Sequence, residues 1–182
     1  STALDRLVQK DPKNAELLAA RARAYEGQGE FKLALADLDT VLALQADFAG
    51  ARVHRARILL AQNELAKARE EADAAVKAKA DDWSALLARA AVCAAQGEFD
   101  SARADLKKVW DSASGEEDAL FGLVQGHWAL GEEKDADRAA EKLFQKNPRH
   151  VALLGARGLW YADHGHPEQA RAASARLLEL SP

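Results

Sequence analysis

Arg21, Arg55, Arg89 and Arg157 occupy one register of the chain. Sixteen residues after the first three stand Asp37, Glu71 and Asp105. A guanidinium and a carboxylate at that separation can form a charge-assisted pair across a helical hairpin. A row of such arginines can also present cations to an anionic partner. Both readings stand on the sequence, with the structural ion pair the expected one, because buried arginines are rarely left unpaired. The same register holds Leu123 in the one copy whose acid position is Ala139, so arginine goes with acid and leucine with alanine. Arg157 is the odd case. Its acid position is Ala173, which leaves Asp137, solvent or a ligand to meet it.

Other reactive side chains give weaker signals. His164 and His166 flank Gly165 after Asp163, a His-x-His that lacks the third and fourth ligands of a structural metal site. His127 and Cys93 share one register position with Tyr25 and Tyr161 and are expected to pack between helices. One cysteine permits no internal disulfide and no cysteine-based zinc site. Phosphate-loop, Gly-x-Ser-x-Gly and HExxH motifs do not occur. No catalytic residue, cofactor or metal is assigned, and the chain reads as a non-enzyme.

The elements that must carry these residues announce themselves by period. Gly29, Asn63, Gly97, Gly131 and Gly165 are each 34 residues apart, and an alanine follows each by five: Ala34, Ala68, Ala102, Ala136 and Ala170. A fixed period of this length over five copies marks an array of one supersecondary unit. Within residues 14–45, Leu18, Ala22 and Tyr25 recur at helical spacing before the glycine. Phe31, Ala34, Leu35, Leu38, Val41 and Leu42 share a helix face after it. Each unit is therefore two amphipathic helices joined at the glycine. The pairs are expected at about 48–62 with 65–78, 82–96 with 99–111, 116–130 with 133–146, and 150–164 with 167–180. Pro12, Pro148 and Pro182 fall in junctions between units, whereas Pro167 sits at the first turn of a second helix, where proline is tolerated. The expected fold class is all-α: a right-handed superhelical solenoid of stacked antiparallel helix pairs. It forms one domain over 1–182, with a half-unit at 1–12 and units at about 14–47, 48–81, 82–115, 116–149 and 150–182.

Composition is consistent with this. Hydrophobic residues are 48% but aromatics only 6%, so the core is largely alanine and leucine, which suits helices at close range. The net charge of −4, with signs interspersed, lacks the basic footprint of a nucleic-acid binder. No uncharged apolar run is long enough to span a bilayer, and the start shows no signal-peptide pattern.

Residues 1–10 match only the second helix of a unit, with Leu4, Leu7 and Val8 in the positions of Leu38, Val41 and Leu42. Because solenoids need polar caps, these ends predict a segment of a longer array.

Leu18, Arg21-Ala22, Tyr25, Ala34 and Leu38 in the first copy resemble the tetratricopeptide repeat pattern, as do Leu154, Arg157-Gly158, Tyr161, Ala170 and Pro182 in the last. The resemblance covers essentially the whole chain. Small residues at Ala22, Ala56, Ala90 and Gly158 fall where the pattern brings two helices close, and Val124 departs from it. The resemblance implies that first helices line an inner groove, which would present Arg23, His54, Arg57, Leu87, Phe121, Gln125, Trp128 and Leu159. Its N-terminal part would be basic and its C-terminal part aromatic, a surface suited to a peptide with a negative end and a hydrophobic anchor. The positions of the family's carboxylate clamp hold Ala19, Arg23, His54, Ser84 and Ala88, so a chaperone-tail receptor is not expected.

The implied function is a non-catalytic protein–protein interaction scaffold. Its specific version is a bacterial envelope component of exopolysaccharide secretion or assembly in the periplasm, with a cytoplasmic location as the alternative. Two other readings are kept: a groove that binds a carbohydrate polymer directly through Phe121, Trp128, Arg23 and Arg57, and a regulatory appendage of an enzyme. Nucleic acid and membrane insertion are not expected of this segment.

Overall fold

The structure is a computed structural model, and it describes residues 3–113 and 115–180. Among them are eleven helices and no strand. The helices are α1 (Ala3–Lys10), α2 (Ala15–Gly27), α3 (Phe31–Leu44), α4 (Ala49–Ala61), α5 (Leu65–Ala78), α6 (Trp83–Ala95), α7 (Phe99–Ala113), α8 (Glu117–Ala129), α9 (Glu133–Lys146), α10 (Val151–Asp163) and α11 (Pro167–Leu180). The chain divides into two compact units, Ser1–Ala113 and Ser114–Pro182. Pro182 and the first two residues of the leading half-unit lie outside the described residues. No described helix is long and apolar enough to cross a membrane.

Every hairpin closes by the same local device. Gly29, Asn63, Gly97, Gly131 and Gly165 have φ between 60° and 78°. The amide after each reaches back to the residue five before it: Glu30 to Tyr25, Glu64 to Leu59, Glu98 to Cys93, Glu132 to His127, and His166 to Tyr161, at 2.8–2.9 Å. The left-handed residue itself donates three back, as Gly97 does to Ala94 at 3.0 Å. This is the Schellman closure, which satisfies helix-end carbonyls and turns the chain in one residue. It also accounts for the shared register of Tyr25, Leu59, Cys93, His127 and Tyr161, whose carbonyls take the closing bond. A Cβ on Gly97 would meet nothing within 4 Å. Gly97→Ala is therefore expected to cost only the backbone strain of the left-handed region, about 1–2 kcal/mol. Asn63→Gly is expected to change stability by no more than a few tenths of a kcal/mol. Urea midpoints of the two variants check both.

Of the first helices, α2, α6 and α10 begin on side-chain caps, whereas α4 and α8 do not. Asn14 accepts from the Leu17 amide, Asp82 from Ser84 and Ala85, and the His150 Nδ1 from Leu153. Pro167 stands at the first position of α11.

In the first unit α2 packs on α3, α4 on α5 and α6 on α7, and successive hairpins meet through α3 with α4, α5 with α6, and the first helices α2, α4 and α6. In the second unit α8 packs on α9 and α10 on α11. Ala22, Ala56 and Ala90 are fully buried, as are Ala34, Ala68, Ala102 and Ala136. Between these small contacts sit Leu38, Val41, Leu106 and Val109 in the first unit and Leu120, Leu123, Val124, Leu143 and Leu153 in the second. Burial of each such side chain is worth about 1.5–3 kcal/mol. In the last hairpin a Cβ at Gly158 would lie 3.4 Å from the Ser174 hydroxyl and 3.7 Å from the Ala173 Cβ, ordinary contact distances against α11.

Candidate functional site

The arginine register forms a network along the first unit. Arg21 grips Asp37 with both Nε and Nη2, at 2.8 and 2.7 Å. Arg89 grips Asp105 in the same way, at 2.7 and 2.8 Å. Asp37 and Asp105 are the buried charged residues of the described chain, 7% and 3% exposed. These bonds, Asp37's foremost, hold Arg21 above the ordinary guanidinium range, and Asp105 does the same for Arg89.

The third nitrogen reveals a row that single-hairpin reasoning overlooks. Arg21 Nη1 lies 3.5 Å from Asp5, Arg55 Nη1 2.9 Å from Asp39, and Arg89 Nη1 3.4 Å from Asp73. Each of these acids stands sixteen residues before its arginine, on the second helix of the preceding hairpin. Each of these arginines thus joins two successive second helices. The signal was present in the sequence, because Asp5, Asp39 and Asp73 are themselves 34 apart.

Arg55 departs in detail. Its Nε is 3.4 Å from Glu71, within ion-pair distance but without a hydrogen bond, while Glu71 accepts from Arg52 at 3.0 Å. The extra methylene of glutamate carries the carboxylate past the Arg55 fork toward the arginine one turn away. In the second unit Arg157 bonds Asp137 at 3.0 Å and the Tyr161 hydroxyl at 2.9 Å, and that hydroxyl donates to Asp137 at 3.2 Å. Leu123 and Ala139 are both fully buried.

The first-helix residues expected to face a partner divide between the two units. Arg23 and Arg57 are exposed, while His54 and Leu87 are half-buried. Two members of the N-terminal basic cluster, His54 and Arg57, meet an acid of this chain. Glu26 accepts from His54 Nδ1 at 2.6 Å and pairs with Arg57 Nε at 3.1 Å. Glu26 is 28 residues before His54, off the 34-residue beat, so aligning copies does not reveal it. A negative peptide end would have to compete with Glu26 there.

In the second unit Phe121, Gln125 and Trp128 follow one face of α8. The Phe121 ring lies 5.4 Å from that of His150, which caps α10. Trp128 stacks on Trp160, centroids 5.4 Å apart and planes 10° apart. Trp160 in turn stacks on His164 at 4.2 Å. Trp160 was not anticipated as a site residue, because it stands 32 residues after Trp128 and falls out of register. Leu159 beside it is 70% exposed and Gln125 is exposed. The paired first helices α8 and α10 thus carry a continuous aromatic column with an exposed leucine next to it.

The remaining reactive groups are engaged in packing. His164 Nδ1 is 2.8 Å from the Trp160 carbonyl and His166 lies edge-on to Tyr161, so the His-x-His belongs to the aromatic column. His127 Nδ1 is 2.8 Å from Glu132, and with Asp135 these side chains form the metal-capable group found among the described residues. Cys93 is buried, and burial pushes its thiol up from the ordinary range. Native protein at neutral pH is accordingly expected to react with a thiol-specific disulfide reagent far more slowly than protein in urea. Equal rates in the two conditions would mean that Cys93 is accessible.

The tetratricopeptide repeat family model matches residues 26–90. No curated protein matches the sequence. Among solved structures, the chain is similar to YrrB, described as a tetratricopeptide repeat protein with an unusual peptide-binding site. Identity is 16%, with 100% of this chain and 93% of that one covered and a TM-score of 0.57. It is similar to a thermophilic repeat protein of Thermus thermophilus at 20% identity, with 82% of each chain covered and a TM-score of 0.72. It is also similar to PilW, a type IV pilus biogenesis factor, at 22% identity, with 96% and 81% covered and a TM-score of 0.65. At these identities the likeness is one of fold.

Proposed function

We propose that this chain, whose residues 26–90 belong to the tetratricopeptide repeat family and whose other helix pairs continue the same fold, is a protein-binding scaffold whose partner is held by the α8 and α10 face. The fold supports the scaffold reading, because repeated hairpins display an extended surface of first helices. The observation that carries the finer reading is the Trp128–Trp160–His164 column beside exposed Leu159 and Gln125. Aromatic anchors flanked by adaptable polar groups are the usual core of a protein interface. The best-fitting occupant is a peptide or helix with a hydrophobic anchor, a mode in keeping with the peptide site described for YrrB. A stacked sugar fits less well, because Trp128 already stacks on Trp160, and Trp160 on His164.

The test is a comparison of partner recovery by wild type and by a Trp128→Ala/Leu159→Ser variant whose helicity matches wild type. The variant is expected to lose the partners that wild type recovers. Unchanged recovery of every partner would remove α8 and α10 as the binding face. A more specific assignment, a scaffold of envelope secretion or exopolysaccharide assembly in the periplasm, is supported only by the Ala- and Arg-rich composition. Fractionation of the native protein tests it, with recovery in the cytoplasm alone counting against it.

A further inference from the structure

The last hairpin has an arginine in the register of Arg21, Arg55 and Arg89 but no acid at the paired position of its second helix. Ala173 stands where Asp37, Glu71 and Asp105 stand in the earlier copies. In the first and third copies the acid occupies two guanidinium nitrogens with its two oxygens. At Arg157, Nε and Nη2 instead share the single Tyr161 hydroxyl, Nη2 also reaches Asp137, and Nη1 makes no hydrogen bond among the described residues. Beside it, α9, α10 and α11 border an open cleft of about 250 Å³ lined by Arg157, Arg176, Gln169, Tyr161, Phe144 and Ala173. Arg176 lies 5.1 Å over the Phe144 ring and donates to the Pro148 carbonyl, and no carboxylate among the described residues pairs with it. Arg157 lies 5.9 Å over the same ring.

We propose that this cleft is a carboxylate-binding site, in which an external carboxylate meets Arg176 and the guanidinium of Arg157, whose Nη1 is left without a hydrogen bond by Tyr161 and Asp137. Three observations converge on it. The first and third hairpins show an arginine of this register taking a carboxylate in a two-pronged grip. The side chain that would supply one is an alanine. The wall adds a second guanidinium and an amide, with no acid facing inward. Two cations above one phenyl ring suit a short aliphatic diacid, or the C-terminal glutamate of a peptide, with its methylenes on Phe144 and Leu154. This site is formed by α9, α10 and α11 and does not depend on the α8 and α10 aromatic face, so either proposal can fail without the other.

The experiment is calorimetric titration at fixed ionic strength with glutarate, with its dimethyl ester, and with a short peptide ending in glutamate. Wild type is expected to bind glutarate, the peptide or both at least tenfold more tightly than the ester. Glutarate binding would identify a free small acid as the source, and binding of the peptide alone a protein terminus. Ala173→Asp, which restores the acid of the other copies, is expected to abolish binding while keeping the melting temperature at or above that of wild type. Arg157→Lys, which keeps the charge but removes the fork, is expected to weaken binding at least tenfold. Equal affinity for acid and ester, or undiminished binding to a folded Ala173→Asp protein, overturns the proposal.

Discussion

Arg89→Ala is expected to destabilise the first unit by about 3–5 kcal/mol, because it leaves an ionised carboxylate buried without its partner. Asp105 is only 3% exposed and takes both of its arginine hydrogen bonds from Arg89. The loss also severs the tie to Asp73 on the preceding second helix. The chain contains its own control, because Leu123 and Ala139 fill the equivalent positions of the fourth copy and are fully buried. The double variant Arg89→Leu/Asp105→Ala is therefore expected to recover most of the loss, since a buried pair replaced by packed apolar groups is often neutral. Urea denaturation of the single and double variants measures the coupling between the two positions. Additive effects would show that the pair does not act as a unit.

The reverse substitution should have an effect at least as large. Leu123→Arg introduces a cation at a site with no solvent access and, at Ala139, no acid to meet it. Burial of an unpaired charge is among the few mechanisms that exceed about 4 kcal/mol for one residue. Adding Ala139→Asp recreates the Arg21–Asp37 arrangement on α8 and α9 and is expected to recover a large part of the loss. Thermal unfolding of both variants decides it. A double variant no more stable than Leu123→Arg alone would show that the α8–α9 hairpin cannot accommodate the pair that α2–α3 and α6–α7 carry.

Much of the fold is legible before any tertiary information. The helices of the last four hairpins fall within two residues of their sequence-based bounds. Glycine or asparagine at a 34-residue spacing specifies left-handed closures, and these depend only on local backbone geometry. The hairpin acids are legible for the same reason, since two helices joined by one left-handed residue bring positions sixteen apart together.

Contacts between hairpins are less legible. Glu26 bridges His54 and Arg57 across two first helices, and Trp160 finds Trp128 at an offset of 32, neither at the repeat interval. Even in register, the reach of one methylene sends Glu71 to Arg52 instead of the Arg55 fork.

The helices, the turns, the 34-residue beat and the copy that breaks it can all be read from one dimension, because each follows from local propensity and a repeated hydrophobic pattern. Packing between hairpins set how the remaining charges and rings are shared: that Glu26 engages His54 and Arg57, that the aromatics stack as one column, and that Ala173 borders a cleft lined by two arginines. The reason is physical. Periodicity states which positions are equivalent. Which side chains touch depends on how far each one reaches across the gap between packed helices, and that distance is not written in any single copy.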